Sequence, residues 1–186
     1  MIYTQDVKCI WPNKRISLAL RKQRRPMQRI EMKAVFGLIL IAVLMRLVPH
    51  PPNFAPITSI ALFSGIHFAN KRLAILIPLC AMLLSDLFIG LHELIPVIYL
   101  SFLLISVMSF YLKSLSIAAV LLGSTLFFVV SNLGVWYFYY PHSWAGLMSC
   151  FVLALPFFAS ALAGDLFYAA ALQFSFKKIS RISFSI

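Results

Sequence analysis

The stretch KRLAILIPLCAMLLSDLFIGLHE, residues 71 to 93, opens on two cations, runs apolar from Leu73 to Leu91 around one charge, Asp86, and closes without a cation. A helix needs about 20 predominantly apolar residues to cross a bilayer. Lys and Arg collect on the cytoplasmic flank of such helices, so this stretch reads as one span with Lys71 and Arg72 inside. Five further apolar blocks surround it: Ala34 to Val48, Phe54 to Ala69, Leu94 to Leu112, Ile117 to Phe138, and a longer one from Leu147 to Phe174. All but Arg46 of the 16 Lys and Arg residues fall in connections that a six-span count assigns to the cytoplasm. The opposite connections, Pro49 to Asn53, His92 to Glu93 and Tyr139 to Gly146, hold no Lys or Arg. The expectation is an all-α polytopic membrane protein with six transmembrane helices and both the N and C termini cytoplasmic.

Composition points the same way. With 62% hydrophobic and 11% charged residues, and a mean hydropathy of +0.93, a soluble domain would lack polar surface. The net charge of +11 is spread over segments that flank spans, with no zinc, helix-turn-helix or aromatic RNA-binding signature, so nucleic acid is not a partner. It is read as topology, with attraction to anionic membrane lipid. Cys9, Cys80 and Cys150 are widely separated and offer neither a disulfide framework nor a CxxC site.

Three segments follow from this pattern. Residues 1–33 form a basic arm with a dense cluster from Arg21 to Arg25, either disordered and cytoplasmic or the product of a start assigned upstream of Met27 or Met32. Residues 34–174 form the membrane domain, and 175–186 a basic cytoplasmic tail. In the membrane domain, Pro49, Pro51 and Pro52 exclude a helix between the first two blocks. Pro156 is expected to bend the last block, ending a partial helix from about Trp144 before the sixth span begins.

Candidate functional residues are few. Ala61, Gly65 and Ala69 recur every four residues and put small side chains on one helix face, as a packing seam or as a docking surface for a partner subunit. Asn132 lies about two turns inside the boundary of its span, where an amide needs a partner other than lipid. Asp86 and Asp165 are acids within apolar blocks, and such groups normally face a protein interior and a partner. For Asp86 the alternatives are a functional role and a structural salt bridge with Arg46; for Asp165, hydrogen bonding between helices. The connections also carry His50, His92 and His142, but no HxxxH or HxH spacing is present and no metal is assigned. Without HExxH, GxSxG or a Gly-rich phosphate loop, an enzyme is not expected, nor is a cofactor.

Taken together, Pro52-Asn53-Phe54-Ala55-Pro56, Ala61-Leu62-Phe63-Ser64-Gly65, Ser85-Asp86-Leu87, Tyr99-Leu100-Ser101-Phe102, Ser131-Asn132-Leu133-Gly134-Val135-Trp136, Tyr140-Pro141-His142 and Gly164-Asp165-Leu166 resemble a bacterial family of uncharacterised integral membrane proteins. That family is similar in outline to the substrate-binding S components of energy-coupling-factor vitamin transporters. The resemblance implies a multi-pass protein of the bacterial inner (cytoplasmic) membrane that captures a small micronutrient, vitamin-like or metal-bearing. Its partners would be a membrane coupling subunit and an ATPase. In S components the small-residue seam typically lies on the first helix; here it lies on the second block. The expected pocket is lined by Arg46, Asn53, Asp86, Asn132, Trp136 and His142, with docking through Ala61, Gly65 and Ala69. The alternative is a non-transporting inner-membrane scaffold or assembly protein whose polar residues pair internally.

Overall fold

The computed structural model describes residues 33, 34, 36–49, 51 and 53–183. The arm of residues 1–32, with its Arg21–Arg25 cluster, and His50 lie outside the described residues. The described residues form six helices: α1 Phe36–Leu47, α2 Ile57–His67, α3 Lys71–Ile89, α4 Ile95–Ser109, α5 Ile117–Tyr139 and α6 Trp144–Ser183. Among the described residues there is no strand.

Local chemistry sets the helix ends. The Asn70 side chain accepts from the N–H groups of Arg72 and Leu73 and starts α3, and Ser116 does the same for α5 through Ala119. Gly90 ends α3 at φ 112°, a region in which only glycine is at ease, while its N–H returns to Asp86 O at 2.8 Å. The Lys71 ammonium donates to Gly65 O at 2.7 Å, where the last carbonyls of α2 lack helical partners.

The shortest helix is the hub. Nine consecutive residues of α2, Ile57 to Gly65, are buried, and the helix packs against α3, α4, α5 and α6. A helix apolar and enclosed on every side occupies a core. Small residues let its neighbours close in. A Cβ on Gly65 would overlap the Ser109 side chain of α4, and one on Gly123 of α5 would lie 3.0 Å from Leu62. On the α3 side, Pro78 has no N–H to give Ala74 O, and the Ser64 hydroxyl of α2 stands 3.0 Å from that oxygen and 3.1 Å from Ala61 O of its own helix, so its one hydrogen is shared between the two. One serine thus partly repairs a proline and ties two helices.

Two sequence expectations change. Among the described residues three of the six helices, α3, α5 and the Trp144–Phe176 part of α6, are long and apolar enough to cross a membrane, and α1, α2 and α4 are shorter. At about 1.5 Å per residue, the 11 residues of α2 and 15 of α4 reach roughly 16 and 22 Å, against about 30 Å of hydrocarbon. Pro49, Pro51 and Pro56 hold the preceding chain out of helix until Ile57, and α4 stops at Ser109 in a turn through Leu112. Second, α6 runs from Trp144 to Ser183 as one helix with Pro156 inside it. The expected break after a partial helix is absent, because one missing N–H does not outweigh the other bonds of a 40-residue helix.

The remaining surface is apolar. Leu83, Leu84, Leu87 and Phe88 of α3 and Val152, Leu153 and Leu155 of α6 are exposed. Helices of that length with such faces belong in a bilayer.

Candidate functional site

Between α4, α5 and the first half of α6 lies a cavity of about 340 Å³, closed on one side by the turn that leads into α2. Asn53 enters its wall from that turn at φ 61°, a left-handed conformation that asparagine tolerates better than most side chains. The turn is seated by Phe54, whose ring meets Tyr168 edge-on at 5.6 Å. Gly164 makes this possible, since a Cβ there would stand 3.1 Å from Phe54 Cα.

Rings dominate the cavity wall. Phe127 and Phe128 of α5 and Phe157 and Phe158 of α6 line it, with Phe128 and Phe158 at 4.7 Å between centroids. Its polar groups are Asn53, Ser131, Asn132 and Tyr140, and no charged side chain is among the lining residues. The Asn132 amide nitrogen donates to Phe128 O at 2.7 Å, so its oxygen is the atom free to accept. Ser131 likewise donates to Phe127 O at 2.7 Å and retains its lone pairs. Leu153 and Phe157 are lining residues that are also exposed, so the cavity opens along an apolar flank of α6.

The six residues expected to share a pocket occupy three places. Asn53 and Asn132 line the cavity. Arg46 and Asp86 do not; they meet elsewhere, between α1 and α3, with Nη1 2.8 Å from Oδ1. Asp86 is 1% exposed. Its second oxygen accepts from the Tyr99 hydroxyl of α4 at 3.0 Å, and Ser85 also accepts from Arg46. Trp136 and His142 engage their own connection: the indole N–H donates to Pro141 O at 3.1 Å, and the His142 ring stacks on Tyr137 with Nε2 2.9 Å from Tyr137 O. Ala61 and Gly65 are buried inside the bundle, while Ala69 lies exposed beyond the end of α2.

Reasoning from sequence missed Phe127, Phe157 and Phe158. Aromatic residues in a membrane block carry no signal of their own, and the pairing of α5 with the first half of α6 depended on a helix that continues through Pro156. Among the described residues no group of three His, Cys, Asp or Glu side chains is placed to hold a metal ion.

The chain belongs to DUF6580, a family of unknown function, which matches it over residues 27–184. No curated protein and no solved structure matches it.

Proposed function

We propose that the chain is a membrane-embedded binding protein, the capture subunit of an uptake system for a small, uncharged and largely aromatic or apolar molecule. The observation that supports this most directly is the cavity of about 340 Å³, in which two amides stand among four phenylalanine rings. Small-molecule sites are typically of this kind: concave, mostly apolar, with a few polar groups that fix orientation. A charged ligand would find no counter-charge in the lining. Arg46 and Asp86 neutralise each other outside the cavity and take no part in binding.

In this reading all six helices are membrane-embedded, with Lys71, Lys113 and both termini on the cytoplasmic side. The short reach of α2 is compatible with it, because non-helical backbone at membrane depth is tolerated where protein encloses it or where it lines a cavity. The sequence has no phosphate-binding loop, so energy for transport would come from a coupling subunit and its ATPase, or from an ion gradient.

Native mass spectrometry of the protein purified in mild detergent tests the proposal. A small non-lipid molecule should co-purify with the wild type and be lost from Asn132→Leu and from Ala154→Phe, which fills the cavity, while both variants remain folded. Phospholipid alone, retained equally by all three proteins, would favour the scaffold.

A further inference from the structure

One helical turn along α6 from Ala161, a cavity-lining residue, the chain buries Asp165, which is 3% exposed. Its Oδ2 lies 2.7 Å from Ser124 Oγ of α5, and Thr58 of α2 adds a second hydroxyl to the same carboxyl. Ser59 donates to the Asp165 backbone carbonyl at 2.6 Å. Two neighbouring helices therefore meet the carboxyl with hydroxyls alone.

No cation stands near it among the described residues, whose ion pair is Arg46 with Asp86. The titratable groups on the packed elements are remote or neutral. On α2, His67 is about 13 Å further along the axis from Thr58, and on α5, Tyr137 is about 20 Å from Ser124. On α6 itself, Cys150 is about 22 Å away and Lys177 about 18 Å along the axis, while the near neighbour Tyr168 is turned against Phe54.

The hydrogens can be counted. Ser124 has one hydroxyl hydrogen and two oxygens in reach, Val120 O at 3.0 Å and Asp165 Oδ2 at 2.7 Å. A protonated carboxyl donates to Ser124 Oγ, which donates in turn to Val120 O, and each oxygen in the row is satisfied. An ionised carboxyl takes the serine hydrogen for itself and leaves an uncompensated charge in an apolar interior, where charges otherwise pair or neutralise. The hydroxyls are already committed to carbonyls and to the carboxyl, an arrangement that suits a proton better than a metal ion with a shell of about six oxygens.

We infer that Asp165 is a proton-binding site, that Ser124 turns its hydroxyl with the proton's arrival and departure, and that occupation of this site is linked to occupation of the cavity. Loading takes one proton from water onto the carboxylate, and unloading returns it. The linkage runs through Phe54, which rests on Gly164 beside Asp165 while its neighbour Asn53 forms cavity wall. This second half rests on the binding reading proposed above; the proton site does not.

Infrared spectra of the full chain in lipid vesicles, recorded over a range of pH, test both halves. A protonated-carboxyl C=O band should be present at neutral pH, persist in Glu93→Gln and be lost in Asp165→Asn. Ala161→Leu and Ala154→Leu fill the cavity and exclude water, so in either variant the band should survive to higher pH, with proton affinity raised about 5-fold or more. A wild type without the band, its survival in Asp165→Asn, or its removal by Na⁺ at constant pH would overturn the proton site and leave the binding reading intact. A band present but unmoved in both cavity-filling variants would overturn the linkage alone.

Discussion

Asp86 and Asp165 head the same tripeptide, Asp-Leu-Phe, and both are buried, at 1% and 3% exposure. Their surroundings differ in one respect. Asp86 has the Arg46 guanidinium at 2.8 Å and the Tyr99 hydroxyl at 3.0 Å, whereas Asp165 is met by the hydroxyls of Ser124 and Thr58. A carboxylate paired with a guanidinium keeps its charge and ties α1 to α3. One met only by hydroxyls leaves its charge to be balanced by something that comes and goes. The partner decides which acid is a fastener and which can respond to its environment.

Breaking the ion pair should have the largest effect. Arg46→Leu strands the Asp86 charge and should lower stability in detergent by about 3–5 kcal/mol, while Arg46→Leu with Asp86→Leu should recover most of that loss, because removing both partners leaves no buried charge behind. Thermal melting of the two variants measures it. A double variant no more stable than the single one would mean that Asp86 needs more than its cation.

Tyr99→Phe should be milder, since it removes one hydrogen bond to a charged group and leaves the ion pair in place. A loss of about 2 kcal/mol is expected, with ligand co-purification unchanged, because Tyr99 does not line the cavity. Altered ligand retention in this variant would join the Asp86 corner to the binding site.

At the other acid the expected cost is smallest. Ser124→Ala removes one interhelical hydrogen bond, worth about 0.6 kcal/mol on average within membranes, and the melting temperature should barely move. A loss as large as that of Arg46→Leu would show that Asp165 is a fastener after all and erase the contrast between the two corners.

Much of this was legible along the chain. The apolar blocks locate five of the six helices to within a few residues, whereas α6 continues nine residues beyond its block, to Ser183, through most of the segment read as a tail. The proximity of Arg46 and Asp86 was open to inference because each charge in hydrocarbon needs a partner and few were on offer. Asn132 was noticed for the same reason, an amide at depth that needs a partner other than lipid; its nitrogen finds one in Phe128 O of its own helix. Trp136 and His142 misled, because aromatic and imidazole groups near a boundary look alike whether they face a cavity or, as here, fold back on Pro141 and Tyr137. The small-residue spacing through Ala61 and Gly65 implied a close approach, but not to what; Ser109 of α4 is the answer for Gly65.

By itself the sequence determined helical composition, the apolar character of the surface and the sorting of positive charge, because these depend on local hydropathy and on which residues flank each block. Tertiary structure alone decided the rest. Whether α6 bends at Pro156 depends on the whole helix and its neighbours, and whether Ser64 answers the missing N–H of Pro78 depends on how α2 and α3 pack. Ser59 and Ser124 reach Asp165 across 106 and 41 residues of chain, a separation at which side-chain periodicity carries no information about contact. A hydroxyl bonds over about 3 Å, so the chemistry of Asp165 exists only once α2 and α5 have brought Ser59 and Ser124 to that range of α6.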